Sequence, residues 1–129
     1  MKLSGLHLLL TYQCTFECDH CFVWGSPWQT GTMTLENVRR IVREAQDAGT
    51  IKSIYFEGGE PFMYYATLLA GVRLAKDAGF EVGIVSNSYW ATSVGSAASG
   101  GAMLIVPIGM PSCSAAAQAL RACRLSFSS

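Results

Sequence analysis

The sequence predicts an α/β protein built on parallel strands. Two observations carry this. Apolar runs of strand length alternate with helical stretches over about the first ninety residues. The pattern also repeats: Asp47-Ala48-Gly49 closes one helix, and Asp77-Ala78-Gly79 closes the next, thirty residues on. Units of that size read as β–α modules, which build a parallel sheet or barrel. At 129 residues the chain holds one domain, well short of the ~250 residues of a complete eight-fold barrel.

Leu6–Thr11 is a short apolar run, and its length favours a strand over a helix. Apolar residues on both of its faces predict a sheet covered on each side. The segment from Cys14 to Thr32 is long for a loop, and such loops are usually functional. Within it Trp24 and Trp28 flank Gly25-Ser26-Pro27, and the simpler expectation is that both indoles pack into the loop rather than shield a ligand. Thr34 is placed as a helix cap; Leu35, Val38, Ile41, Val42, Ala45 and Ala48 follow at helical spacing, and Gly49 is the stop. Arg39, Arg40 and Arg43 then read as a solvated face. A second strand is expected at Ile51–Glu57, a second helix at Tyr64–Ala78 and a third strand at Phe80–Ser86.

Composition changes along the chain. Lys plus Arg balance Asp plus Glu at nine each, so there is no basic face for nucleic acid and no polybasic run for a membrane surface. No apolar stretch reaches the ~18 residues of a span. The start of the chain lacks the features of a signal peptide, so a cytoplasmic location is the expectation. Every acidic residue lies at or before Glu81, and only Arg121 and Arg124 are charged after it. Residues 92–129 are rich in Ala, Gly and Ser, and are expected to be a separate tail, a truncated or frame-shifted end. Ala102–Ile108 is apolar enough for an irregular fourth strand, with Pro107 confining it to an edge or end.

The chemistry-bearing stretches all follow predicted strands. Cys14, Cys18 and Cys21 follow the first at C-x3-C-x2-C spacing, Gly58-Gly59-Glu60-Pro61 follows the second, and Ser86-Asn87 ends the third. In parallel α/β folds ligand sites gather at the carboxyl ends of strands, so the three are expected to meet on one rim. Three grouped thiols in a reducing compartment point to a soft metal centre. A zinc site completed by His20, Cys113 or Cys123 is one option, and a disulfide set is disfavoured by the odd count of five cysteines. A 4Fe–4S cube on three thiolates would leave one iron open.

The cysteine spacing and the Gly58–Pro61 turn together resemble the radical S-adenosylmethionine (radical SAM) superfamily over about residues 6–91. The resemblance implies a partial (β/α) barrel with about three clear units. It implies a 4Fe–4S cluster on Cys14, Cys18 and Cys21, with SAM bound at the open iron. Gly58, Gly59, Glu60 and Pro61 would border the amino end of SAM, Ser86 and Asn87 its ribose or carboxylate, and His20 its adenine. The reaction implied is reductive cleavage of SAM to a 5′-deoxyadenosyl radical that abstracts hydrogen from an unknown substrate. The electron would come from a donor such as a flavodoxin or ferredoxin.

Read from the residues alone, alternatives stay open. Glu60 is either a ligand of the site or a local cap, Ser86-Asn87 is otherwise a plain turn, and His20 is otherwise a polar loop residue. His7 is placed in the core or barrel interior. A structural zinc module, or an inactive remnant without catalysis, is the competing function.

Overall fold

A computed structural model of the chain describes residues 2–19 and 21–89 and the backbone of a strand at 104–107. His20, Cys113 and Cys123 lie outside the described residues, as does most of the tail.

Strand β1 (Gly5–Thr11), helix α1 (Leu35–Ala48), strand β2 (Ser53–Gly58), a 3-10 turn (Pro61–Tyr64), helix α2 (Tyr65–Asp77) and strand β3 (Glu81–Ser86) follow in order. β4 (Leu104–Pro107) completes one sheet with the order β1-β2-β3-β4. β1, β2 and β3 are parallel neighbours, as the repeat predicts. β4 departs from it: it runs antiparallel to β3, with Pro107 opposite Gly83. The fourth strand is thus not a further β–α unit, although it lies at the sheet edge that a proline tolerates.

Local chemistry explains the elements. The Thr34 hydroxyl accepts from the Asn37 N–H and caps α1, and Gly49, at φ 66°, closes it in the left-handed region. Val38, Val42 and Ala45 face inward, whereas Ala48 is exposed. Arg39 and Arg40 pair only loosely with Glu36 and Glu44 on the solvated side, at 3.7 and 3.9 Å. The second helix matches the expected span to within one residue at each end, and Pro61 opens a 3-10 turn ahead of it.

One face of the sheet carries the core. Leu8 and Leu10 of β1, Ile54 and Phe56 of β2, and Val82 and Ile84 of β3 pack with Val38, Val42, Leu68, Val72 and Ala75 of the helices. Gly71 sets the depth of that contact. A Cβ there would sit 2.9 Å from the Phe56 ring and 3.2 Å from Val38 Cγ1, so the missing side chain lets α2 press onto β2 and α1.

The opposite face is not covered among the described residues, contrary to the two-sided burial read from β1. His7 lies on it, not in the helix-packed core but on the side that faces inward in a (β/α) barrel, the other of the two places expected for it: its side chain is 58% exposed, its Nδ1 is 3.1 Å from Glu57 Oε1, and its ring stacks on Tyr55 at 5.0 Å. Tyr55 in turn lies over Gly83, where a Cβ would meet the ring at 2.5 Å. Among the described residues no helix is long and apolar enough to cross a membrane.

Candidate metal and cofactor centre

The upper end of the sheet is assembled from the carboxyl ends of three adjacent strands. A register shift between Leu9 and Thr11 bends the end of β1 toward the loop that follows. That loop is held by its own backbone. Tyr12 N–H donates to Gly31 O at 3.2 Å, Cys14 N–H to Ser26 O at 3.0 Å, and Met33 N–H to Leu10 O at 2.7 Å. Gly25 and Ser26 are buried, but Trp24 and Trp28 are 79% and 80% exposed. The expectation that the indoles pack into the loop therefore fails. The loop folds around its small residues, and the large ones are left outside.

The paired glycines lie directly against this loop. Gly59 N–H donates to Thr11 O at 2.7 Å, and Glu60 N–H to Gln13 O at 2.8 Å. The approach is so close that a Cβ on Gly59 would fall 2.1 Å from Gln13 O. A Cβ on Gly58, whose φ is 132°, would fall 2.3 Å from Thr11 O. Gly25 seals the other side: a Cβ there would lie 3.3 Å from both Cys14 Cβ and Gly59 Cα. Tyr64 closes the group by donating its hydroxyl to Gln13 Oε1 at 2.7 Å.

Glu60 is the hub of the arrangement. Its side chain is fully buried. Oε1 accepts from Phe62 N–H at 3.0 Å, Oε2 from Asn87 N–H at 2.8 Å, and the Ser86 hydroxyl lies 3.0 Å from each oxygen. The carboxylate is thus the cap of the 3-10 turn and the clasp between β2 and β3. Burial pushes its pKa above the usual carboxyl value, and the hydrogen bonds from Phe62, Asn87 and Ser86 pull it part of the way back. Ser86 is committed to Glu60 in the same way. Pro61, buried beside it, starts the turn.

Asn87 reaches the cysteines. Its Nδ2 donates to Thr15 Oγ1 at 3.0 Å and toward Cys14 Sγ at 3.6 Å. Cys14, Cys18 and Cys21 are free thiols of intermediate exposure, so the three described cysteines form no disulfide. Backbone amides also address two sulfurs: Phe16 N–H lies 3.5 Å from Cys14 Sγ, and Gly25 N–H lies 3.2 Å from Cys21 Sγ. Among the described residues one buried side-chain hydroxyl, Ser88 Oγ, has no hydrogen-bond partner.

This donor set fits an iron–sulfur cube. The three thiols are free and of intermediate exposure, and the sulfurs of Cys14 and Cys21 are already met by N–H donors, which are the partners that cluster thiolates take. Among the described residues no three Cys, His, Asp or Glu side chains converge on a single ion. A cube does not require that, since each thiolate binds a different iron.

Comparison with known proteins agrees with this geometry. The family model of the Radical SAM superfamily matches residues 8–98, most of the chain. The chain belongs to the radical SAM superfamily.

Among curated radical SAM relatives, the YydG protein of Bacillus subtilis strain 168, whose name refers to peptide biosynthesis, is 34% identical over 84 residues, 65% of this chain and 26% of that protein. The S-adenosylmethionine-dependent nucleotide dehydratase of Selenomonas ruminantium is 29% identical over 82 residues, 64% of this chain and 29% of that protein. The tungsten-containing aldehyde ferredoxin oxidoreductase cofactor-modifying protein of Pyrococcus furiosus is 32% identical over 83 residues, 64% of this chain and 23% of that protein. The chain thus spans about a quarter of the length of these relatives. The names of these three relatives describe three different tasks.

The structure brings Cys14, Gly58, Gly59, Glu60, Pro61, Ser86 and Asn87 into one connected group at the strand ends. Cys18 and Cys21 share the cysteine loop. Sequence reasoning missed Gln13 and Gly25. Gln13 accepts from the glycine turn through its backbone and from Tyr64 through its side chain, and Gly25 makes room for Cys14. A groove of about 510 Å³ lined by Gly49, Ile51, Lys52, Gly79 and Phe80 lies at the opposite end of the sheet, away from these residues.

Proposed function

We propose that this chain carries the first units of a radical SAM enzyme core, with a 4Fe–4S cluster on Cys14, Cys18 and Cys21 and a SAM site beside it. The observation that carries the proposal is the contact between Gly59 and the cysteine loop, closed by Glu60, which accepts from both Ser86 and Asn87, and by Asn87 Nδ2, which reaches toward Cys14 Sγ. When bound, the cluster and SAM together supply one-electron cleavage of SAM and hydrogen abstraction from a substrate.

The chain's own residues do the rest. The three thiolates hold the irons. The N–H groups of Phe16 and Gly25 offset the negative charge on the sulfurs. The Gly58–Pro61 turn presents backbone without side chains, so a ligand can lie against it. Glu60 spends its charge on the protein and fixes the distance between that turn and the end of β3. Asn87 and His20 complete the SAM side of the proposal, while the buried Ser86 acts through Glu60. The electron donor is proposed to be a small redox protein such as a flavodoxin or ferredoxin, in the cytoplasm.

Anaerobic reconstitution with iron and sulfide tests this. The protein is expected to turn brown, and the reduced cluster is expected to change its electron paramagnetic resonance signal when SAM is added. A protein that takes up iron and sulfide but does not respond to SAM would remove the SAM half of the proposal. One that takes up neither would remove all of it.

A further inference from the structure

The geometry points to Asn87 as a positioning residue that sets the reduction potential of the cluster through Cys14, in addition to any contact with SAM. This rests on the cluster reading above.

Asn87 is held at four points. Its backbone N–H donates to Glu60 Oε2 at 2.8 Å. Its Oδ1 accepts from Tyr89 N–H at 3.0 Å. Its Nδ2 donates to Thr15 Oγ1 at 3.0 Å and points toward Cys14 Sγ at 3.6 Å. The Tyr89 contact decides which way round the amide lies: an N–H donor can only face the carbonyl oxygen, so the amide nitrogen must face the cysteine loop. A turn residue whose only task is to end a strand needs none of the Nδ2 contacts. Seventy-three positions separate Asn87 from Cys14, so the contact is made by tertiary structure, from β3 across to the loop after β1.

The consequence is electrostatic. A hydrogen-bond donor on a ligating thiolate withdraws charge from the sulfur and favours the more electron-rich, reduced cluster. Cys14 receives two such donors, Phe16 N–H from its own loop and Asn87 Nδ2 from just past the end of β3. Only the second can be removed by changing a side chain. Because Asn87 also hangs from Glu60, the clasp that holds β3 to the glycine turn holds this donor in place.

The test is a redox titration followed by electron paramagnetic resonance on the anaerobically reconstituted full chain, with iron and sulfide counted in each sample. Asn87→Ala removes the donor and is expected to shift the midpoint to a more negative potential with the cluster retained. Asn87→Asp keeps the shape but puts a carboxylate oxygen where the N–H was, and is expected to shift it further in the same direction. If Asn87→Ala fails to fold by circular dichroism, the near-isosteric Asn87→Asp carries the comparison. Midpoints equal to the wild type, or shifted positive, overturn the assignment while leaving the cluster reading intact. Loss of the cluster from both folded variants also overturns it, since Asn87 would then be an assembly residue. A wild-type chain that binds no cluster overturns both.

Discussion

Glu60 shows how one residue can combine a cost and a benefit. Burying a carboxylate is unfavourable, yet each oxygen here is met by a donor, and two of the donors are backbone amides. Glu60→Gln turns an acceptor into an N–H facing another N–H. It is expected to lower stability at neutral pH by about 1 kcal/mol, the lost acceptor outweighing the relief of charge burial. The pH dependence has a definite sign. The folded pKa of Glu60 lies above the usual 4.5, so its favourable contribution is complete below that value and is lost as pH rises through the folded pKa. The gap between wild type and Glu60→Gln in urea unfolding should therefore widen on acidification and level off near pH 4.5. A gap that shrinks would mean that the carboxylate form is favoured by the fold. The sequence offered ligand or cap for a Glu in a Gly-Gly-Glu-Pro turn, and the cap is the reading that the local donor Phe62 bears out. What the sequence did not show is the second half of the cradle, since Ser86 and Asn87 lie at the end of a strand some twenty-six residues away.

At the scale of elements, two glycines control two separate contacts. Gly71→Ala should gain about 1 kcal/mol of helix propensity. Against that, it forces a methyl group into the Phe56 ring and Val38, an overpacking cost of about 1–3 kcal/mol. Net destabilisation is expected, read as a lower denaturant midpoint with the helical circular dichroism retained; an unchanged or raised midpoint would show that the core relaxes. Gly59→Ala meets backbone rather than side chain, and backbone cannot rotate away. It should cost about 3 kcal/mol, the upper end for overpacking, and lower cluster uptake on reconstitution. Uptake at the wild-type level would show that the turn and the cysteine loop do not depend on each other. The strands and helices themselves were legible, because helix caps at Thr34 and Gly49 and short apolar runs are local signals. What escaped was non-local. The antiparallel course of β4 depends on its pairing with β3, and the exposure of Trp24 and Trp28 on a loop that folds around its small residues; the 3-10 turn before α2, by contrast, is set locally by Glu60 and Pro61.

For the whole molecule, the alternation of strands and helices was enough to predict that the motifs share one rim, because every parallel strand ends on the same side. That is why Cys14, the glycine turn and Asn87 could be expected together although up to seventy-three positions separate them. That the face of the sheet with His7, Tyr55 and Glu57 is left uncovered among the described residues could not be foreseen from β1 alone, whose residues are apolar on both sides. The central claim is that three thiolates of this chain hold an iron–sulfur cube next to the paired glycines. Its most direct test is the iron and sulfide content of wild type and Cys18→Ala after anaerobic reconstitution. The wild type is expected to hold about four irons and four sulfides per chain, and Cys18→Ala to lose them. A Cys18→Ala protein that keeps the full complement would contradict the account.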